Sequence, residues 1–555
     1  MTEFLDLADI QGNVLTAYGK QGFPKGRMLL FTVNSGRAGR AFVEYIRPRV
    51  TSALRWPSSK DKPGDANPEN DLQMQERPEV AINLAFTFPG LLALGVPSTT
   101  LRGMPDEFIE GMEARAQILG DEIYGVDDKD EQRCRWDRVW VKPNPDGLTR
   151  VHILVTLNAQ MEAATGEAVA ELSRITSWIV GLAESSDGGV VLLDGHSGPD
   201  PRWQNLTALL EQDAEGNFAP TPKEHFGYTD GIGDPAFEGQ YSLGRMKLNL
   251  PGRGKLSGSG EWSPLATGEF LLGHADEAQE IPGSAMPLDF SRNGTFFAYR
   301  KLHQNVASFR NAIVAAAAQY QAVAAIGGPP EVGQETLMAK MAGRWSDGIP
   351  IMAAPTYEDW KAVQAKAMAA YKADDKKAMA AFALELNDFV YRPDPEGIKC
   401  PVTAHIRRIN TRDQLDPYYA SDNPKTWLGS VLNNRRRILR RGLPYGSSGP
   451  DSTDDDDHGI VMLCLCSNLN RQFEFVQQQW VNYGLDANAG NDTCPMVGRH
   501  REGAKFIVPG DPAKDQAPFI MKNLPEFVES RGGDYFFVPS VTALRMIGMG
   551  VTDPT

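Results

Sequence analysis

Arg27-Met28-Leu29-Leu30-Phe31-Thr32-Val33 is a nearly continuous apolar run and reads as a buried strand. Working outward from it, Ala38 to Arg47 has helical spacing, Glu79 to Phe86 alternates as a second strand, and Pro89 to Leu94 and Asp106 to Leu119 read as helices. Val151 to Leu157 reads as a third strand, Met161 to Ile175 as a helix and Gly189 to Leu193 as a fourth strand. The order is not a strict βα alternation. It fits a βαββαβ, ferredoxin-like unit better than a doubly wound sheet. The second half loosely repeats the theme: strands at Gly268 to Leu272, Thr295 to Leu302, Gly459 to Cys466 and Asp534 to Val538, and helices at Asn305 to Gln321 and Leu469 to Trp480. No sequence repeat accompanies this order, so the duplication is inferred from element order alone. The expected fold is α+β, with two ferredoxin-like domains whose antiparallel sheets are flanked by helices, divided as 1–225 and 226–555. Ser58 to Arg77 reads as a loop, and the Ala/Lys-rich stretch around 353–388 as a helical insert.

The chain has 555 residues, 41% apolar and 23% charged, enough to bury a large core without staples. Its net charge of -15 argues against nucleic acid or an anionic membrane as partner, because binding phosphates needs basic patches. Cationic or neutral small substrates are compatible with it. The five cysteines are odd in number and lack the spacing of a disulfide framework; Cys464 and Cys466 read as buried strand thiols. No 18-residue apolar run and no basic leader followed by an apolar stretch is present, so the expected location is cytoplasmic, with no membrane span.

The eight histidines include no H-x-x-x-H or H-E-x-x-H pair, and neither a phosphate-binding loop nor a G-x-S-x-G elbow occurs. Three stretches stand out. In Gly227-Tyr228-Thr229-Asp230-Gly231-Ile232-Gly233-Asp234-Pro235, glycines flank an acid and allow a tight turn close to a flat ligand; a surface turn is the plainer reading. In Cys400 to Arg412, His405 follows small and apolar residues and precedes Arg407, Arg408 and Arg412. A neutral imidazole in that setting can bind iron axially, and guanidiniums match carboxylates such as haem propionates. A core histidine beside surface arginines is the alternative. Arg435 to Gly446 crowds five arginines into seven positions. It reads either as a phosphate-binding strip or as one arginine aimed into a cavity while the rest stay solvated. The run Asp454 to Asp457 reads as a solvated loop rather than a cation site.

Together these stretches resemble the dye-decolorizing peroxidase family. Gly227 to Gly231 matches its G-x-x-D-G hallmark, Pro401 to Arg412 is similar to the segment of its proximal histidine, and Ile438 to Gly446 to that of its distal arginine. Asp9 to Leu15, Asn83 to Gly95, Gly343 to Pro350 and Phe537 to Ser540 also resemble family segments, in order, from residue 9 to about residue 548. The length and inserts look like the larger, elaborated, bacterial-type members. The resemblance implies two ferredoxin-like domains arranged as a dimeric α+β barrel, haem b mainly in the C-terminal one, and reduction of hydrogen peroxide coupled through a ferryl intermediate to oxidation of dyes, phenolics or other aromatic donors. It implies His405 as axial ligand of the iron, Asp230 as acid–base residue, Arg440 as distal arginine with Arg441 as the alternative, and Asp492 as the carboxylate behind the imidazole. Gly227, Gly231, Arg407, Arg412 and Met462 are the expected cofactor contacts. Met462 stands where family members commonly carry phenylalanine. Two rivals remain open: a protein that handles haem or releases its iron with little turnover, and a cofactor-free ligand-binding protein.

Overall fold

The computed structural model describes residues 5–56, 74–126, 132–141, 150–241, 243–418 and 421–552. The loop expected from Ser58 to Arg77 falls outside the described residues over 57–73. In the first half β1 (Lys25–Val33) leads into α1 (Gly36–Ile46), then β2 (Val80–Phe86), β3 (Ile153–Ala159), α2 (Ala170–Glu184) and β4 (Val190–Leu192); β5 (Gln204–Thr207) returns to pair with β1. Side by side the strands run β4-β1-β3-β2, all antiparallel, which is the ferredoxin-like arrangement. α1 starts where Ser35 caps it by accepting from the Ala38 N–H, and it buries Phe42, Val43 and Ile46 along one face.

The second half repeats the plan with a long insertion. β6 (Thr295–Gln304) and α3 (Val306–Ala324) are followed by α4 (Pro330–Ala342), α5 (Tyr357–Lys372), α6 (Lys376–Glu385) and the single turn α7 (His405–Ile409). Then come β7 (Leu439–Tyr445), β8 (Gly459–Cys466), β9 (Val528–Val538) and α8 (Val541–Met549). The order β9-β6-β8-β7 matches that of the first half, so the duplication inferred from element order is present in the topology. The halves join at Phe86 opposite Phe537, giving one continuous sheet. A single apolar core serves both, with Phe108 against Phe296 (5.0 Å between ring centres) and Phe296 against Phe537 (5.7 Å).

Four local expectations are corrected. The second helix begins at Ala170, not Met161, because Met161 bridges to Ala168 around a turn at Thr165 and Gly166. Gly268 to Leu272 is no strand: Thr267–Glu269 is a 3₁₀ turn and the buried residues after it wrap under the sheet. The helix expected from Leu469 to Trp480 winds with π spacing over Asn470–Glu474 and Val476–Val481. The arginine-rich stretch supplies a strand, β7. The acidic run is structural: Asp454 accepts from the Ser308 N–H (3.1 Å) in the first turn of α3, and Asp457 from Ser197 (2.8 Å). All five cysteines are free; Cys464 and Cys466 are buried on β8, as expected. Among the described residues no helix is long and apolar enough to cross a membrane.

Candidate active site

Strand alternation decides which side chains can meet. On β8, Val461, Leu463 and Leu465 enter the core, while Ile460, Met462 and Cys464 face a cavity of about 370 Å³. On β7, Arg440 lies opposite Cys464 and faces the same cavity. Arg441, one residue on, is turned to the other face, where it donates to Asp234 (3.1 Å) and to the Val14 carbonyl (2.9 Å). A one-residue step along a strand reverses the side chain, and this separates the two candidate arginines in favour of Arg440.

Asp230 lines the cavity and is hydrogen-bonded and ion-paired to Arg440. Its loop is fixed from below. The Glu224 carboxylate accepts the N–H groups of Phe226 (2.9 Å) and Tyr228 (3.0 Å), the Thr229 N–H bonds the Ser346 carbonyl (2.8 Å), and the Asp230 N–H bonds the Pro222 carbonyl (2.7 Å). Gly227 and Gly231 take φ of 95° and 71°, a left-handed backbone that glycine adopts without a Cβ penalty. Gly231 lines the cavity; Gly227 does not, and serves the turn. Burial pushes the Asp230 carboxyl up, but the charge and hydrogen bond of Arg440 outweigh it and hold the group below the ordinary aspartate range. Asp230 in turn holds Arg440 charged.

His405 opens α7 and lines the cavity, the one histidine among the described residues to do so. Its Nδ1 meets the Sγ of buried Cys494 at 3.3 Å. The expected partner, Asp492, is not there: its carboxylate pairs with Lys505 (2.7 Å). Arg407 is likewise corrected. It is fully buried and does not line the cavity, donating instead to the carbonyls of Cys400 (2.5 Å) and Asp394 (2.9 Å), so it builds the loop before α7.

Three other arginines, Arg344, Arg412 and Arg437, do line the cavity. All are buried, none forms an ion pair among the described residues, and each donates to backbone carbonyls such as those of Leu386 (2.7 Å), Asn387 (2.8 Å) and Gly254 (3.2 Å). Burial and repulsion from Arg412 press Arg344 and Arg437 down to about 9, the mark of positive charge without an anion. Arg412 was read from the sequence; Arg344 and Arg437 were not, since one sat in a motif carrying no charge pattern and the other inside an arginine run. The apolar walls include Ile406, Ile438, Ile460, Met462, Val476 and Met496. Apolar walls, an imidazole whose Nε2 has no hydrogen-bond partner among the described residues, and three buried guanidiniums with no ion pair among them fit an iron porphyrin with two propionates.

Glu224 also borders the cavity, and burial raises its carboxyl to about 7. A carboxyl whose folded pKa exceeds its unfolded one binds more protons when folded, so its contribution to stability rises as pH falls from about 7 toward the unfolded value near 4.5. We expect the stability difference between wild type and Glu224→Gln to move in favour of wild type over that fall, read as paired Tm curves at several pH values. A difference flat in pH would contradict the buried, raised carboxyl.

The fold and the cavity define a class: a duplicated α+β barrel with a cavity lined by one histidine, an aspartate–arginine pair and three buried arginines. Residues 9–188 match the family described as DyP dimeric alpha+beta barrel domain, and residues 428–513 match Dyp-type peroxidase, C-terminal. The chain belongs to the dye-decolorizing peroxidase family, whose members are haem peroxidases. It is 28% identical to Peroxidase 2 of Mycetinis scorodonius over 98% of this chain and 87% of the relative. It is 26% identical to the multifunctional dye peroxidase DyP2 of an Amycolatopsis strain, over 72% of this chain and 80% of the relative. A fungal DyP-type peroxidase structure from Auricularia auricula-judae superposes with a TM-score of 0.68 at 22% identity, covering 99% of this chain and all, 100%, of the other.

Proposed function

We propose that this chain is a haem b peroxidase that reduces hydrogen peroxide and oxidises aromatic donors, including phenols and dyes. The observation that carries the reading is the Asp230–Arg440 pair in a cavity whose one histidine is His405. A complex of a structural neighbour with 2,6-dimethoxyphenol supports an aromatic donor. His405 would hold the iron, and Arg344, Arg412 and Arg437 the propionates. When bound, the haem supplies the iron at which peroxide is reduced and through which the donor's electrons pass one at a time.

The side chains do the proton work. Asp230 takes the proton from one peroxide oxygen and delivers it to the other as that oxygen leaves. Arg440 stabilises the negative charge that develops on the departing oxygen, and by its position keeps Asp230 a carboxylate at acidic pH. His405 would offer its Nε2 lone pair to the iron, with Nδ1 beside the Cys494 sulfur to favour that tautomer.

Arg440→Leu tests the reading. Peroxide-dependent oxidation of a methoxyphenol by the haem-loaded variant is expected to fall roughly 10²–10³-fold. The acid limb of its pH–rate profile is expected to move to higher pH, because Asp230 loses the charge that depresses it. Unchanged turnover and an unmoved limb would remove Arg440 from the chemistry.

A further inference from the structure

We propose that Cys494 is the positioning residue for the His405 imidazole, accepting its Nδ1–H and thereby leaving Nε2 for the iron. This rests on the reading of His405 as the axial ligand. The Sγ lies 3.3 Å from Nδ1, within hydrogen-bond reach of sulfur, and Cys494 is wholly buried. Its backbone cannot drift. The Cys494 N–H bonds the Val481 carbonyl (2.7 Å), and its own carbonyl accepts from the Gly498 N–H (3.0 Å) and pairs with the His500 ring (2.9 Å). Arg408, on the same turn as His405, donates to the carbonyls of Trp480 (2.7 Å) and Asp492 (2.5 Å). The guanidinium therefore ties α7 to the loop that carries Cys494, and the histidine and the sulfur are held in register.

A ligating histidine ordinarily gives its second N–H to a carboxylate, a carbonyl or water, and that partner sets ring orientation and basicity. Here the carboxylate named from the sequence, Asp492, is paired with Lys505 instead. Sulfur accepts a hydrogen bond weakly. The imidazole of this chain is thus oriented by the sulfur but polarised less than by a carboxylate, which makes it a poorer electron donor to the metal.

Three haem-loaded variants test this: Cys494→Ala, Cys494→Ser and, as control on the ligand, His405→Ala. The readouts are the reduction potential of the iron and the stretching frequency of the ferrous iron–imidazole bond. Cys494→Ala is expected to raise the potential, lower the frequency and cost roughly 10–100-fold in haem affinity or turnover. Cys494→Ser keeps an acceptor at the site and is expected to bring both values back toward wild type. If His405→Ala keeps the wild-type spectrum and frequency, the axial assignment fails and the inference falls with it. If His405→Ala loses them while both Cys494 variants match wild type, the axial assignment stands and the role of Cys494 is overturned.

Discussion

His405→Ala is expected to abolish peroxide-dependent turnover and the native haem spectrum while leaving the chain folded. The seven other histidines are not alternatives. His225 faces Ser448 and the Tyr445 carbonyl, His303 the Asp454 carbonyl, His500 the carbonyls of Pro525 and Cys494, and none of the seven lines the cavity among the described residues. The mutation removes a side chain at the head of a one-turn helix, and the loop beneath is held independently by Arg407 and Arg408. Loss of fold would therefore not be the cause. Free imidazole added to the variant is expected to restore part of the spectrum by occupying the vacated space. A variant that retains both spectrum and turnover would place the iron on another ligand.

Asp230→Asn is the second large effect. The carboxylate is the base the cavity offers for peroxide: the other described acids bordering it either bind backbone N–H groups, as Glu224 does, or are paired elsewhere, as Asp234 is with Arg441 and Asp121 with Arg300. An amide cannot accept and return the proton, so peroxide reduction is expected to slow roughly 10²–10⁴-fold. The haem spectrum before peroxide should be unchanged, since Asp230 holds no iron. The sign of the pH effect follows from the same pair. Arg440 lowers the Asp230 carboxyl, so the active carboxylate persists below the pH at which an ordinary aspartate protonates, and activity is lost only as pH falls through that depressed value. Asp230→Asn should therefore lose the acid limb along with most of the rate, measured as stopped-flow peroxide consumption from pH 3 upward. Full rate in the amide variant would end the acid–base assignment.

Much of the fold was legible because its strands are strongly patterned. Gly459–Cys466 was read with the bounds the structure has, since a buried apolar run flanked by polar residues has few other solutions. Leu439–Tyr445 was missed as a strand because two arginines and a proline mask its alternation; the pairing with β8 decides it, and pairing is not local. The same alternation explains why Arg440 and Arg441 could be narrowed but not separated by sequence. Asp230, Arg440, His405, Gly231, Arg412 and Met462 were named from the chain and all line one cavity. Asp492 and Cys494 show the limit. Two residues apart in a loop, either could reach the imidazole, and only the course of the backbone, fixed by Arg408 and His500, turns the sulfur inward and the carboxylate toward Lys505. Arg407 fails for the converse reason: an arginine beside the key histidine is as useful for holding carbonyls as for holding a propionate.

The central claim is a peroxide-reactive haem in the His405 cavity, and its most direct test is the visible spectrum of the haem-loaded protein before and after one equivalent of hydrogen peroxide. The predicted result is a Soret band that gives way to a new, red-shifted spectrum and returns when a phenol is added. A Soret band that peroxide only bleaches, or none after haem is supplied, would contradict it.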